Sequence, residues 1–127
     1  MARINKKTKA AINIISVMPK EVHKFWPLAE FMVAEALSYS GKYADAKHIY
    51  DLLLQDQMQL FIMFGSDESS ENKVFGVCVT RIATLPNYNQ LEIVICTGKR
   101  RELWEDKIVA HVTAFAKGND CKRLCVW

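Results

Sequence analysis

Residues 90–127 read QLEIVICTGKRRELWEDKIVAHVTAFAKGNDCKRLCVW, and this stretch decides the fold. Its first part, QLEIVICT (90–97), is rich in β-branched residues and predicts a strand. A helix is expected over residues 100–117, with an apolar face formed by Trp104, Ile108, Val112 and Phe115. KGND (117–120) breaks that helix, and CKRLCVW (121–127) predicts a last short strand. Because a strand–helix–strand connection makes a right-handed crossover, the two strands are expected to be parallel or nearly so.

Three more strands are predicted upstream of this unit. INIISV (12–17) is a β-branched run, MQLFIMFG (58–65) is a continuous apolar run, and KVFGVCVTRIATL (73–85) is rich in Val and Ile. A polar loop of hairpin length separates the last two runs, and PNYN (86–89) supplies a turn before residues 90–97. The three consecutive strands therefore favour an antiparallel meander.

Two helices are predicted between the first and second strands. Apolar residues recur at helical spacing after Pro19, and Pro27 is the expected start of the regular helix because proline suits a first helical turn. Gly41 is the expected end, and a second helix is predicted from Asp45, a potential N-cap, to Gln57. The element order β-α-α-β-β-β-α-β predicts an α+β fold, with a mixed, mainly antiparallel sheet covered by helices.

Length and composition indicate one globular domain. The chain has 127 residues, of which 50% are hydrophobic and 24% charged, values that exclude wholesale disorder. Residues 1–11 form a basic tail, expected to be flexible, and residues 12–127 form the domain. No apolar run is long enough for a membrane helix and the N-terminus lacks a signal-peptide pattern, so we expect a cytoplasmic protein without membrane contact.

The cysteines and histidines do not form a metal-binding pattern. There is no C-x-x-C pair, and the cysteines lie in apolar runs, where a free thiol behaves as a small hydrophobe: Cys78, Cys96, Cys121 and Cys125. We therefore expect reduced, buried thiols and no metal site. The three histidines lie in separate predicted helices, without a spaced partner: His23, His48 and His111.

The order of elements resembles that of the GNAT acetyltransferase superfamily, over nearly the whole chain from Ile12 to Trp127. It is most similar to small GNAT-like proteins of short-tailed phages, through LEIVICTG, the following LW and the terminal CKRLCVW. The resemblance implies a GNAT-like fold that lacks the family's last strands. It also implies acetyl-CoA as the cofactor, with its pantetheine arm between the fourth and fifth strands.

The resemblance further implies that the cofactor's pyrophosphate meets the start of the helix after the fourth strand. The residues expected there are Cys96, Thr97, Gly98, Lys99, Arg100 and Arg101. Free N–H groups and the helix dipole favour an anion at such a position. With Lys99 in the first position of the family signature, its glycine falls on Glu102 and its small residue on Trp104. This departure predicts a degenerate acyl-CoA site.

Glu92 is the candidate catalytic residue. Many family members have a glutamate on the fourth strand that deprotonates the substrate amine, and Glu92 lies at a comparable position. The alternative is a solvated strand glutamate without a catalytic role. The family's general-acid tyrosine, which follows the fifth strand, has no counterpart in this chain.

Three functions remain open at this point. The first interpretation is a phage-type accessory or virion-associated protein that acts through protein interaction, in the host cytoplasm or the virion. The second is an acyl-CoA-dependent N-acetyltransferase that transfers an acetyl group to an amine. The third is weak polyanion contact by the basic tail and by residues 99–101 with Lys122 and Arg123. Because strand 121–127 is expected to leave an edge unpaired, we also predict a dimer or a protein partner there.

Overall fold

The computed structural model describes residues 11–40, 45–68 and 72–126. Its strands are β1 (Ala11–Val17), β2 (Gln59–Ser66), β3 (Lys73–Thr84), β4 (Asn89–Gly98) and β5 (Cys121–Val126). Its helices are α1 (Val22–Ser40), α2 (Ala46–Leu54) and α3 (Glu105–Gly118), with short 3-10 turns at Pro19–Glu21 and Arg101–Leu103. The predicted element order is confirmed. The basic residues 1–10, Gly41 and Trp127 lie outside the described residues.

The five strands form one sheet in the order β1-β2-β3-β4-β5. The pairs β1–β2, β2–β3 and β3–β4 are antiparallel, whereas the pair β4–β5 is parallel. This arrangement confirms the predicted α+β class, the antiparallel meander and the parallel final pair. Within the described residues, β1 and β5 are the two edge strands of the sheet.

Helices cover both faces of the sheet and divide the core into two clusters. On one face, α1 and α2 pack against alternate residues of β2 and β3, including Leu60, Ile62, Val77 and Val79. On the other face, α3 packs against Phe61, Met63, Cys78, Leu91 and Ile93. The strands in the middle of the sheet are therefore apolar on both faces, which accounts for their continuous apolar sequence.

The first helix starts earlier than predicted. Regular α1 begins at Val22 and includes Pro27, so the expectation that it begins at Pro27 is wrong. Pro27 is the sixth residue of the helix and removes only the hydrogen bond to the carbonyl of His23. Val22 and Trp26 are both buried, and their packing holds this turn in helical form despite the missing bond.

The second helix begins as predicted and ends early. Asp45 is the N-cap of α2, and its carboxylate accepts a hydrogen bond from the backbone N–H of His48 at 3.0 Å. The helix ends at Leu54 rather than Gln57, and Asp56 then has a positive φ of 59°. This turn reverses the chain into β2.

None of the helices in the described part of the chain is long and apolar enough to cross a membrane. The same residues contain no group of three or more His, Cys, Asp or Glu side chains that could hold a metal ion. The four cysteines are free thiols, but only Cys78 is buried, so the expectation of buried thiols is wrong for Cys96, Cys121 and Cys125, which are partly exposed.

Candidate functional site

A β-bulge in the middle of β4 shapes the candidate site. Ile95 pairs with Val79 and Ile93 pairs with Thr80, so Val94 is an extra residue without a partner in β3. Because a bulge bends and twists its strand, the two halves of β4 run in different directions. The bulge also moves Ile95 to the α1/α2 face, whereas Ile93 remains on the α3 face.

The described part of β5 pairs with the first half of β4. The last pair in the described residues is Ile93 with Val126, and β4 continues for five residues to Gly98. A cavity of about 170 Å³ opens beyond this pair, on the α3 side of the sheet. We call it the β4–α3 cleft. Its lining is mostly apolar and includes two charged residues, Arg101 in the 3-10 turn and Glu105 at the start of α3. The other lining residues are Ile93, Cys96, Ile108, Val109, Val112 and Val126.

The junction between β4 and α3 is short and tightly held. The N–H of Lys99 donates to the carbonyl of Phe75 at 2.7 Å, and Arg100 has left-handed backbone angles with φ 54°. A 3-10 turn follows, and α3 begins at Glu105 instead of at Arg100. The predicted helix start is therefore wrong, because the left-handed residue and the 3-10 turn precede the first α-helical residue. The first-turn N–H groups of α3 have no partner within the helix and are directed toward its start.

The Trp104 indole is part of the core. Its side chain is fully buried in the α3-side cluster, and its Nε1–H donates to the carbonyl of Lys99 at 2.7 Å. Gly76 leaves room for the ring, because a Cβ there would lie 3.1 Å from the indole. The sequence led us to expect Trp104 in the space of a cofactor-binding small residue. The structure instead places its ring beneath the junction, outside the lining of the β4–α3 cleft.

Arg100 connects the junction to the β2–β3 loop. Its Nη1 lies 3.1 Å from the carboxylate of buried Asp67 and 2.9 Å from that of Glu68, and its Nε donates to Glu102 at 2.8 Å. The hydrogen bond from Arg100 lowers the pKa of Glu68 and, independently, that of Glu102 below the usual carboxyl value. Arg100, predicted to meet a phosphate, is directed toward carboxylates, and Glu102 accepts one of its hydrogen bonds.

Arg101 lies at the rim of the β4–α3 cleft. Its Nε is 3.0 Å from the carboxylate of Glu105, and its guanidinium lies over the Trp104 ring, 5.6 Å from the ring centre. The side chain is 56% exposed, so an incoming anion can exchange with Glu105. Lys99 makes no ion pair with any other residue in the described part of the chain, and its side chain does not line the cleft.

The other predicted binding residues divide into two groups. Cys96 lines the cleft, whereas Thr97 and Gly98 belong to the ladder with β3, opposite Val77 and Gly76. Gly98 has a φ of 154°, and a Cβ at this position would clash with the carbonyl of Phe75. The glycine is thus required by the close approach of two strands.

Glu92 lies on the face of the sheet opposite the cleft. It directly precedes Ile93, which packs on the α3 side, and successive strand residues point to opposite faces. Glu92 is 8% exposed, so the expectation of a solvated strand glutamate is wrong. Its Oε1 accepts a hydrogen bond from Arg81 Nε at 2.7 Å and its Oε2 accepts one from Gln90 Nε2 at 2.7 Å.

A larger cavity lies at the other end of the sheet. It has a volume of about 310 Å³ and is bordered by Ser16, Gln59 and Phe115. None of the residues predicted for the site lines it. The candidate site is therefore the smaller cleft, which contains Cys96 and Arg101.

Sequence reasoning missed three features of the site: the Val94 bulge, buried Asp67 and the contact between Cys78 and Cys96. Strand β4 is apolar on both faces, so alternation in LEIVICT could not locate an extra residue. Asp67 lies in a polar loop, and its partner Arg100 is 33 residues away. Only the pairing of β3 with β4 brings the two thiols together.

Comparison with solved structures identifies the fold, although no family model and no curated protein matches the sequence. A probable acetyltransferase superposes with a TM-score of 0.67 at 14% identity, covering 91% of this chain and 78% of that protein. An aminoglycoside acetyltransferase from an uncultured soil sample gives 0.64 at 16% identity, with coverages of 91% and 76%. A GNAT family acetyltransferase of Staphylococcus aureus gives 0.61 at 15% identity, with coverages of 92% and 86%. The chain therefore has the fold of the GNAT acetyltransferases.

Proposed function

We propose that the chain binds an acyl-CoA in the β4–α3 cleft and transfers the acyl group to an amine. The observation that carries the proposal is the β4–α3 cleft, which lies beside the Val94 bulge and is lined by Arg101 and Glu105 where α3 begins. A narrow apolar cleft beside β4, next to the first-turn N–H groups of α3, suits a ligand that combines an extended arm with an anionic group.

The lining of the cleft fits the thioester end of such a ligand. Ile93, Val109 and Val126 give an apolar wall, and Arg101 supplies positive charge at the rim. The volume of about 170 Å³ is below that of a typical site for a complete ligand, roughly 300–1,000 Å³. We therefore assign only the end of the arm to the cleft and the phosphates to its rim, close to Arg101.

The acyl transfer itself needs an amine and a proton acceptor. The acyl-CoA supplies an activated thioester; the amine nitrogen attacks its carbonyl carbon, the carbon–sulfur bond breaks, and the thiol of CoA leaves. We propose that the amine approaches from the α1/α2 face, where Glu92 takes its proton directly or through a water. Arg81 and Gln90 fix the orientation of the Glu92 carboxylate for this task.

A thermal-shift titration with acetyl-CoA tests the binding step. A ligand that binds only the folded state raises the free energy of unfolding by about 2.7 kcal/mol when its concentration is 100 times its dissociation constant. Val109→Trp should fill the cleft and remove the shift, because Val109 lines the cleft and is 50% exposed. Ala110→Trp is the matched control, since Ala110 is also exposed on α3 and does not line the cleft. No shift of the wild-type protein at millimolar acetyl-CoA would exclude the proposal.

A second candidate function is protein interaction through β5. This edge strand is largely exposed, including 73% of Val126 and 38% of Leu124. An exposed strand edge with apolar side chains offers backbone groups and contact area to another strand. We propose pairing with a second copy of the chain or with a protein partner, the mode that an accessory or virion-associated role would use. Trp127, part of the predicted interface, lies outside the described residues.

Light scattering on the purified protein distinguishes the homodimer from a monomer that awaits another partner. A dimer that becomes monomeric in Val126→Lys, while Lys117→Ala remains dimeric, would support self-pairing at β5. A monomer at high concentration would exclude it.

Two further proposals follow from the sequence. We propose a cytoplasmic location, because free thiols persist in a reducing compartment. Weak polyanion contact by the basic residues 1–10 also stays a proposal. Arg100 and Arg123 of the folded basic cluster add little to it, because Arg100 is paired with carboxylates and Arg123 donates to the Tyr88 hydroxyl at 3.0 Å.

A further inference from the structure

Two thiols meet at the floor of the β4–α3 cleft. Cys78 on β3 and Cys96 on β4 are direct cross-strand partners, and both side chains belong to the α3-side cluster. Directly opposite residues of antiparallel strands have Cα atoms roughly 4.5 or 5.5 Å apart. Both values fall in the range of about 4.4–6.8 Å that a disulfide requires. The backbone therefore permits a Cys78–Cys96 disulfide without a change of register.

The two thiols differ in access. Cys96 is partly exposed and lines the cleft, where it is the nucleophilic side chain that a bound molecule meets. Cys78 is fully buried behind it in the α3-side core. A reagent that enters the cleft thus reaches Cys96 first, and Cys78 can react only with a group already on Cys96.

Electrostatics favours the same order of reaction. The hydrogen bond from Cys78 and the charge of Arg101 lower the pKa of the Cys96 thiol, although burial and Glu105 oppose this effect. The pKa of the Cys78 thiol is raised well above its usual value by the same contact and by burial. The thiolate, which is the reactive form, is therefore favoured on Cys96.

We propose that Cys96 is a modification site that exchanges with disulfides of small anionic thiols, and that Cys78 resolves the product. In the first step the Cys96 thiolate attacks one sulfur of the small disulfide, forming a mixed disulfide and releasing one small thiol. In the second step Cys78 loses its proton and attacks the Cys96 sulfur, releasing the other small thiol. Overall, two protein thiols are oxidised to one disulfide and one small disulfide is reduced to two thiols.

The site selects for an anionic reagent with a narrow arm. Arg101 at the rim attracts carboxylate or phosphate groups, and Ile108 and Val109 line an apolar approach to Cys96. The disulfides of glutathione and of CoA share this chemistry. The mixed disulfide places its substituent in the cleft, so this modification competes with any other occupant. The reaction itself does not depend on acyl-CoA binding.

Intact-mass measurement and peptide mapping after incubation with glutathione disulfide, or in a parallel arm with CoA disulfide, test the proposal. The wild-type protein should form a Cys78–Cys96 disulfide through a transient adduct on Cys96. In Cys78→Ser the adduct should accumulate, and in Cys96→Ser both products should be lost. A double variant, Cys121→Ser with Cys125→Ser, should react like the wild type. The arm that reacts faster identifies the preferred small thiol.

Modification confined to Cys121 or Cys125 in both arms would overturn the proposal. So would a Cys78→Ser protein that accumulates no adduct on Cys96 in either arm. Circular dichroism of each variant verifies folding, and if Cys78→Ser does not fold, Cys78→Ala replaces it. Because acyl-CoA is absent from the reaction, failure here is distinct from failure of the thermal-shift titration.

Discussion

Replacing Trp104 with phenylalanine tests how the β4–α3 junction is held. The substitution removes the indole N–H that donates to the Lys99 carbonyl at 2.7 Å, a bond with a net contribution of about 1 kcal/mol. It also removes two buried ring carbons, at about 0.8 kcal/mol each. The expected loss in the free energy of unfolding is therefore about 2–3 kcal/mol. At roughly 4 °C per kcal/mol for a chain of this size, the melting temperature should fall by about 8–12 °C.

Trp26→Phe is the matched control. Trp26 is also buried and packs against the Tyr50 ring at 5.2 Å between ring centres, but its indole has no hydrogen-bond partner in the described residues. Its substitution should lower stability by the ring-carbon contribution alone, about 1.6 kcal/mol. Urea denaturation measures both variants, and hydrogen exchange at the Lys99 amide should accelerate only in Trp104→Phe. Equal losses in the two variants, with unchanged exchange at Lys99, would refute the reasoning.

Three other substitutions probe the site and the fold. Glu92→Gln should lower acetyl transfer at least tenfold while the acetyl-CoA thermal shift is retained; equal turnover in an acetylation assay would remove Glu92 from the mechanism. Arg100→Met should lower the melting temperature at pH 7. The difference from wild type should shrink as the pH falls through the lowered pKa values of Glu68 and Glu102. The reason is that Arg100 stabilises the charged forms of these carboxylates in the folded state, and this stabilisation is lost when they are protonated. A melting-temperature difference independent of pH between 7 and 3 would contradict this. Asp45→Ala should cost about 1 kcal/mol in urea denaturation through loss of the N-cap, and no loss would argue against the cap.

The sheet and its order could be predicted because local patterns determine them. Apolar runs of strand length and short polar links give the meander, and the helix before residues 121–126 imposes a parallel last pair. Asp45 was identified as a cap because the capping bond joins residues three apart. Such short-range contacts are visible in the sequence.

The site depends on contacts that the sequence does not display. The sequence does not reveal the Val94 bulge, because β4 is apolar on both faces. Alignment with the family signature predicts Trp104 at a position that contacts the cofactor, but its ring does not line the cleft. Arg100, two residues after the end of β4, has left-handed backbone angles, and its side chain contacts the carboxylates of Asp67 and Glu68 in the distant β2–β3 loop. The sequence KRR (99–101) therefore predicts three residues that contact phosphate, whereas in the structure Arg100 forms ion pairs with Asp67 and Glu68 of the same chain.

Deletion of Val94 tests the central claim most directly. Without Val94, Leu91, Ile93 and Cys96 remain on the α3 face while Ile95 remains on the other, so the core loses only the half-buried contact of Val94 with the α1/α2-side cluster. It removes the bulge that bends β4 beside the cleft. The measurement is the acetyl-CoA-induced change in melting temperature, with cooperative unfolding as the criterion for a folded variant. We predict a shift of roughly 10 °C for the wild-type protein at saturation and none for the deletion variant. An equal shift in both proteins, or none in the wild type, would contradict the assignment of the cleft.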